Sequence, residues 1–113
     1  SIPDCRVLLS RKRYAVLRGC RIVFSGVFPL GVVPEQSTEW RIARSLGAAC
    51  LKQPVQGSVL ATHCVALREG TEKVMFAKSN GIHVVHVAWL FASAARFTKL
   101  SELGFARLEP AQL

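Results

Sequence analysis

Apolar residues in this chain fall in short β-branched runs separated by stretches with helical spacing. Cys20 to Phe24 (CRIVF) is a compact run stopped by Ser25-Gly26, and it predicts a strand feeding a tight turn. Ala48 to Leu51, Thr62 to Leu67 and Ile82 to Val85 predict three more strands. Between them, Ser37 or Thr38 caps a helix running to about Leu46, where Trp40, Ile42, Ala43 and Leu46 recur at helical spacing and Gly47 suits the position past its end. Thr71 to Ser79 predicts a second helix, closed by Asn80-Gly81, with Val74, Ala77, Met75 and the Lys78 stem turned inward. His86 to Phe97 predicts a third, with Val87, Leu90, Phe91 and Ala94 on one face and Trp89 beside them. Val27 to Pro34 holds two prolines and a glycine, and Lys52 to Leu60 holds Pro54, Gly57 and Ser58, so both read as loops.

Ahead of the first strand, Asp4 to Leu17 predicts a helix capped by Asp4 and ended by Gly19. Strands alternating with helices at short spacing imply a parallel sheet covered on both faces. The expected fold is therefore α/β, with a central four-stranded parallel sheet flanked by three helices, plus the N-terminal helix. A chain of 113 residues accommodates one such domain. The expected division is an N-terminal extension over 1–18, the domain over 19–100 and a C-terminal tail over 101–113, with no element assigned from Gly104 onward.

Composition narrows the partners more than the fold. Half of the residues are hydrophobic and 19% are charged, which favours folding over disorder. The formal charge of +8 favours an acidic partner, leaving nucleic acid, a phosphorylated peptide, an acidic protein and a membrane surface open. Cys5, Cys20, Cys50 and Cys64 lie 15, 30 and 14 residues apart, which is no paired metal-ligand spacing, and they read as free, mostly buried thiols in a reducing compartment. The opening SIPDCRVLLSRKRY has charges where a secretory signal has its apolar core. Ile82 to Ala95, the longest apolar stretch, is interrupted by His83 and His86 and is too short to span a bilayer. A cytosolic or nuclear location follows as the expectation.

The segment Gly70 to Leu90 carries the candidate chemistry, because Thr71 and Lys73 stand two residues apart at a helix start. Free backbone N–H groups and the helix dipole make such an end suited to phosphate, and a lysine adds charge. The order strand, helix, strand, strand, helix, strand, helix has Ser25-Gly26 after the first strand, Leu46-Gly47-Ala48 after the first helix, Thr62-His63 opening the third strand and Trp89 in the last helix. Over roughly Leu17 to Phe97 this resembles the BRCT family. The resemblance implies a non-catalytic interaction module, nuclear in many members, that binds phosphoserine or phosphothreonine peptides. In phosphopeptide-binding members a hydroxyl ending the first strand, the N–H of the next glycine, and a lysine opening the second helix hold the phosphate, and a threonine two residues earlier places the lysine. Those roles fall on Ser25, Gly26, Lys73 and Thr71. Within the family, Gly19 to Gly26, Glu39-Trp40, Gly70 to Val74 and Lys99 to Glu102 resemble the domains attached to RNA polymerase II C-terminal-domain phosphatases. That implies the phosphorylated C-terminal repeat tail of RNA polymerase II as partner. The chain has no Asp-x-Asp pair, so phosphatase chemistry would lie outside it.

Each residue also has a plainer reading. Ser25-Gly26 serves as a strand-ending turn, Thr71 as a helix cap and Lys73 as a solvated lysine, while Glu72 places a negative charge beside the proposed anion. Trp89 reads as core, and His63 as part of the strand architecture with its imidazole bonded to backbone. His83 and His86 flank Val84-Val85, and no metal site or cofactor is expected from them. His63 and Cys64 are strand neighbours facing opposite ways, which argues against a base and nucleophile pair. The run Arg11-Lys12-Arg13, with Arg6, Arg18 and Arg21, suits nucleic acid, an acidic tail or nuclear import, but only Tyr14 stands near it for stacking, so a solvated helix face is the simpler reading. Three non-enzymatic functions stay open: a phosphopeptide binder, a structural docking domain with an unused pocket, and a DNA-binding domain. A monomer is expected in isolation.

Overall fold

The computed structural model describes residues 13–111. Four strands, β1 (Arg21–Ser25), β2 (Ala49–Leu51), β5 (His63–Ala66) and β6 (His83–His86), form one sheet in the order β2-β1-β5-β6. All three pairings are parallel. The helices are α1 (Thr38–Ser45), α2 (Glu72–Ser79) and α3 (Ala88–Arg96). This is the expected architecture.

Strand alternation divides the core between the two faces. Ile22 and Phe24 of β1, Val65 of β5 and Val85 of β6 pack with Trp40, Ala43, Leu46, Trp89 and Leu90, so α1 and α3 cover one face. Val23, Cys64 and Ala66 pack with Val74, Ala77 and Leu108, so α2 covers the other. Ser25 shares the parity of Val23, which puts it on the α2 side.

Each helix shows how its sequence makes it. Ser37 caps α1 by accepting from the Trp40 backbone N–H at 3.2 Å. In α2 only Val74 and Ala77 are buried; Met75 is exposed, and Lys78 reaches out to Glu69 at 2.6 Å rather than lying inward as expected. In α3 the buried stripe is Trp89, Leu90 and Ser93, with Phe91 exposed, contrary to the face expected from the apolar pattern. The small Ser93 wins the interior position because its hydroxyl is satisfied there, accepting from the Leu100 N–H at 3.2 Å.

Two stretches differ from the sequence reading. Lys52 to Leu60, expected as loop, contains an antiparallel ribbon of β3 (Val55–Gln56) and β4 (Val59–Leu60) turning at Gly57-Ser58. Two-residue strands are too short to show alternation, and Val55, Val59 and Leu60 are exposed, so no burial pattern marks them. The Arg21 Nε tethers the ribbon by donating to the Leu60 carbonyl at 2.6 Å. Residues 101–111 also pack onto the domain: a short 3-10 turn covers Glu102–Phe105, Leu108 is buried, and Glu109 exchanges backbone hydrogen bonds with Leu67 and Glu69 at 2.9 and 2.8 Å. Among the described residues, no helix is long and apolar enough to cross a membrane.

Most of the helix expected over Asp4 to Leu17 lies outside the described residues; 13–15 are helical. Leu17 is buried and its N–H donates to the Leu46 carbonyl at 2.8 Å. This contact brings the Tyr14 backbone against Gly47, where a Cβ would stand 1.8 Å from the Tyr14 oxygen and where φ is +95°. Gly47→Ala is accordingly expected to cost roughly 3 kcal/mol from overlap and backbone strain together. Gly57→Ala, with φ +64° but open space around it, is expected to cost only about 1 kcal/mol. Urea unfolding of the two variants measures the difference.

Candidate functional site

The C-terminal ends of β1 and β5 meet the N-terminus of α2, and all four expected residues gather there. Ser25 closes β1, is 5% exposed, and its Oγ lies 2.7 Å from Thr71 Oγ1. Thr71 is the N-cap of α2, in extended backbone, and its Oγ1 accepts from the Val74 N–H at 3.2 Å. Gly26 follows Ser25 with φ +67°, a left-handed turn that strains any side chain. The Lys73 Nζ reaches back to β1 and donates to the Phe24 carbonyl at 3.4 Å. Thus the strand-ending turn and the helix cap are both real, and they adjoin the lysine.

Lys73 has no carboxylate partner among the described residues. It stands between two recesses. One, of about 200 Å³, is lined by Gly26 and by an aromatic wall; the other, of about 210 Å³, is lined by Gln53, Pro54, Glu72 and Phe76. Glu72 is exposed and lines the second recess, not the one that Gly26 lines.

The family described as "BRCA1 C Terminus (BRCT) domain" matches residues 12–94. The chain belongs to the BRCT family. It is 41% identical over 102 residues to RNA polymerase II C-terminal domain phosphatase-like 4 of Arabidopsis thaliana, covering 90% of this chain and 22% of that protein. The structure of fission yeast RNA polymerase II CTD phosphatase Fcp1 bound to beryllium fluoride superposes with a TM-score of 0.80 at 36% identity, over 93% of this chain and 28% of that one. Rad4 BRCT domains in complex with a Crb2 phosphopeptide superpose at 0.67 with 25% identity, over 81% and 48% of the two chains. This BRCT domain therefore spans about a fifth of its Arabidopsis relative, 22% by length.

The remaining flagged residues of the BRCT domain have structural work. Trp89 is fully buried, and its Nε1 donates to the Leu100 carbonyl at 2.9 Å. His63 stacks on it at 4.9 Å, and its ring bonds side chains, not backbone as expected: Nδ1 lies 2.8 Å from Thr62 Oγ1 and Nε2 lies 3.1 Å from Glu102 Oε2. Burial pulls the His63 pKa below 6.5, against the opposing pull of Glu102. A neutral ring then accepts from Thr62 at Nδ1 and donates from Nε2 to the carboxylate. Burial acts to raise the Glu102 pKa, but a backbone hydrogen bond, the His63 bond and nearby Lys99 outweigh it and hold the group below its usual range. In the sequence Glu102 stands only as the end of the Lys99 to Glu102 segment, and nothing there pairs it with His63, which lies 39 residues away.

His83 and His86 do not converge on a metal, and among the described residues no cluster of ligands does. The His83 ring lies tilted beside that of His63, 5.1 Å between centroids, and His86 Nδ1 accepts from the Ala88 N–H at 3.0 Å, closing the first turn of α3. Cys64 packs on the α2 face while His63 lies against Trp89 on the other, so they form no pair. Burial pushes the Cys50 and Cys64 thiols up to about 11 and raises Cys20 as well, so all three stay protonated and unreactive near neutral pH.

Because the folded His63 binds its proton more weakly than the unfolded chain does, its contribution to stability is complete above about pH 6.5 and is lost as pH falls toward the depressed value. Glu102, also depressed, loses its contribution lower still, through the carboxylate range. The urea midpoint is therefore expected to fall from pH 7.5 to pH 5.5, and His63→Gln is expected to flatten that slope while lowering the midpoint at pH 7.5.

Proposed function

We propose that this BRCT domain is a non-catalytic module that binds phosphoserine or phosphothreonine peptides through Ser25, Gly26, Thr71 and Lys73, and that it serves an RNA polymerase II C-terminal-domain phosphatase. The observation carrying this reading is the 2.7 Å bond between Ser25 and Thr71 beside a lysine that has no carboxylate partner among the described residues. Thr71 already accepts from Val74 N–H. When Thr71 donates its own proton to Ser25, the Ser25 proton remains available for a phosphate oxygen, beside the Gly26 N–H and the Lys73 ammonium. The Lys73 contact to Phe24 uses one of three ammonium protons.

The proposed partner is the phosphorylated repeat tail of RNA polymerase II, suggested by the relatives' names, with a nuclear location following from it. The phosphatase chemistry belongs to a module beyond this chain, which spans 22% of the Arabidopsis relative. Binding of nucleic acid through the basic N-terminal face is less favoured. Of its arginines, Arg13 donates to Ser45 at 3.2 Å and Arg21 to Leu60 at 2.6 Å, each through one N–H, while Arg18 is exposed. Arg6, Arg11 and Lys12 lie outside the described residues.

Calorimetric titration with a phosphoserine peptide and its unphosphorylated match tests the reading. Lys73→Ala and Ser25→Ala are each expected to weaken phosphopeptide binding at least about tenfold, since each removes a hydrogen bond to a charged group worth about 1.5–3 kcal/mol. Equal curves for the wild type and both variants would remove the proposal.

A further inference from the structure

The recess that shares Gly26 and Lys73 with the proposed anchor also presents apolar side chains. Its wall consists of Phe24, Phe28 and Trp40, with Pro34 and Leu51 completing it. The rings are packed on one another, Phe24 lying 5.1 Å from Phe28 and 6.2 Å from Trp40 between centroids. Phe24 and Trp40 are held by the core, while Phe28 comes from the loop that begins at Gly26 and Pro34 opens the short 3-10 turn Pro34–Gln36 that follows it. The cavity therefore exists before any ligand arrives. At about 200 Å³ it is smaller than the roughly 300–1,000 Å³ of small-molecule sites and suits one side chain.

We infer that this recess takes a proline or aromatic side chain from the peptide, within one or two residues of the phosphorylated one, and so gives the domain its sequence preference. The inference rests on the phosphopeptide reading above. An extended peptide advances about 3.3–3.6 Å per residue, so a group anchored at Gly26 and Lys73 leaves its neighbours beside the aromatic wall. Phe24 and Trp40 are largely buried, so the partly buried Phe28 offers most of the ring surface that a flat apolar side chain would meet. The rim carries a second lysine, but Lys52 is paired with Glu35 at 2.7 Å. The Glu35 carboxylate offsets part of that charge at the rim and would repel a second phosphate, so the recess favours a neutral neighbour.

Fluorescence anisotropy with labelled phosphoserine peptides tests this, placing proline, tyrosine, alanine, lysine or a second phosphoserine in turn at the two positions on either side. The wild-type chain is expected to bind the proline or tyrosine peptide about tenfold tighter than the alanine peptide at one of these positions, the discrimination a single apolar pocket supplies. The second phosphoserine should give no comparable gain. Phe28→Ala, with its fold checked by amide dispersion in NMR, should erase the preference and leave the alanine peptide's affinity unchanged, while Lys73→Ala should weaken every peptide alike. Equal affinity for ring and alanine peptides at all four positions, with phosphate dependence intact, would overturn the inference and leave the phosphopeptide function standing. Loss of phosphate dependence in the whole series would overturn both. The wild-type series decides the matter even where the Phe28 variant folds poorly.

Discussion

A hydroxyl buried at the end of β1 must find a partner, and meeting that demand ties the sheet to the helix that carries Lys73. Ser25 is 5% exposed, and its parity along β1 turns it to the face that α2 covers. An unpaired hydroxyl there would cost about 1–3 kcal/mol. Thr71 meets the requirement while also capping α2, so one side chain sets both the start of the helix and the position of the strand end. Lys73 stands two residues further on and is drawn back to the Phe24 carbonyl. The geometry of the site thus follows from hydrogen bonds the fold needs in any case.

The opposite face supplies rigidity. Trp89, His63, Glu102 and Leu100 are linked by stacking and hydrogen bonds that join α3, β5 and the segment after α3. None of these groups reaches the β1–α2 site. They hold the central strands against α1 and α3, and the strand ends at Ser25 inherit that order. Neutral, depressed-pKa His63 fits this structural role better than a catalytic one, as do the three raised thiols.

Strand and helix positions were legible because β-branched runs, caps and closing glycines mark them locally. Ser25-Gly26, Gly47 and Thr71 each carry a local signal whose reason the structure supplies: a turn, a backbone contact too close for a side chain, and a cap. What the pattern missed depends on long-range packing. The β3–β4 ribbon has exposed apolar residues and no alternation, Glu102 meets His63 only through the folding of the chain's end, and Ser93 takes the interior place that a hydropathy pattern gives to Phe91. The proximity of the four site residues was suggested by family resemblance. Their distances come from a parallel register that places β1 beside β5, directly ahead of α2.

The central claim is that the ends of β1 and α2 form one anion site. Amide NMR of the chain titrated with a phosphoserine peptide tests it most directly, by following the Gly26, Thr71 and Val74 N–H signals. The account predicts that these three move together and saturably with the phosphorylated peptide and stay fixed with its unphosphorylated match. Binding accompanied by shifts confined to the arginine-bearing N-terminal face and α1, with Gly26 unmoved, would contradict it.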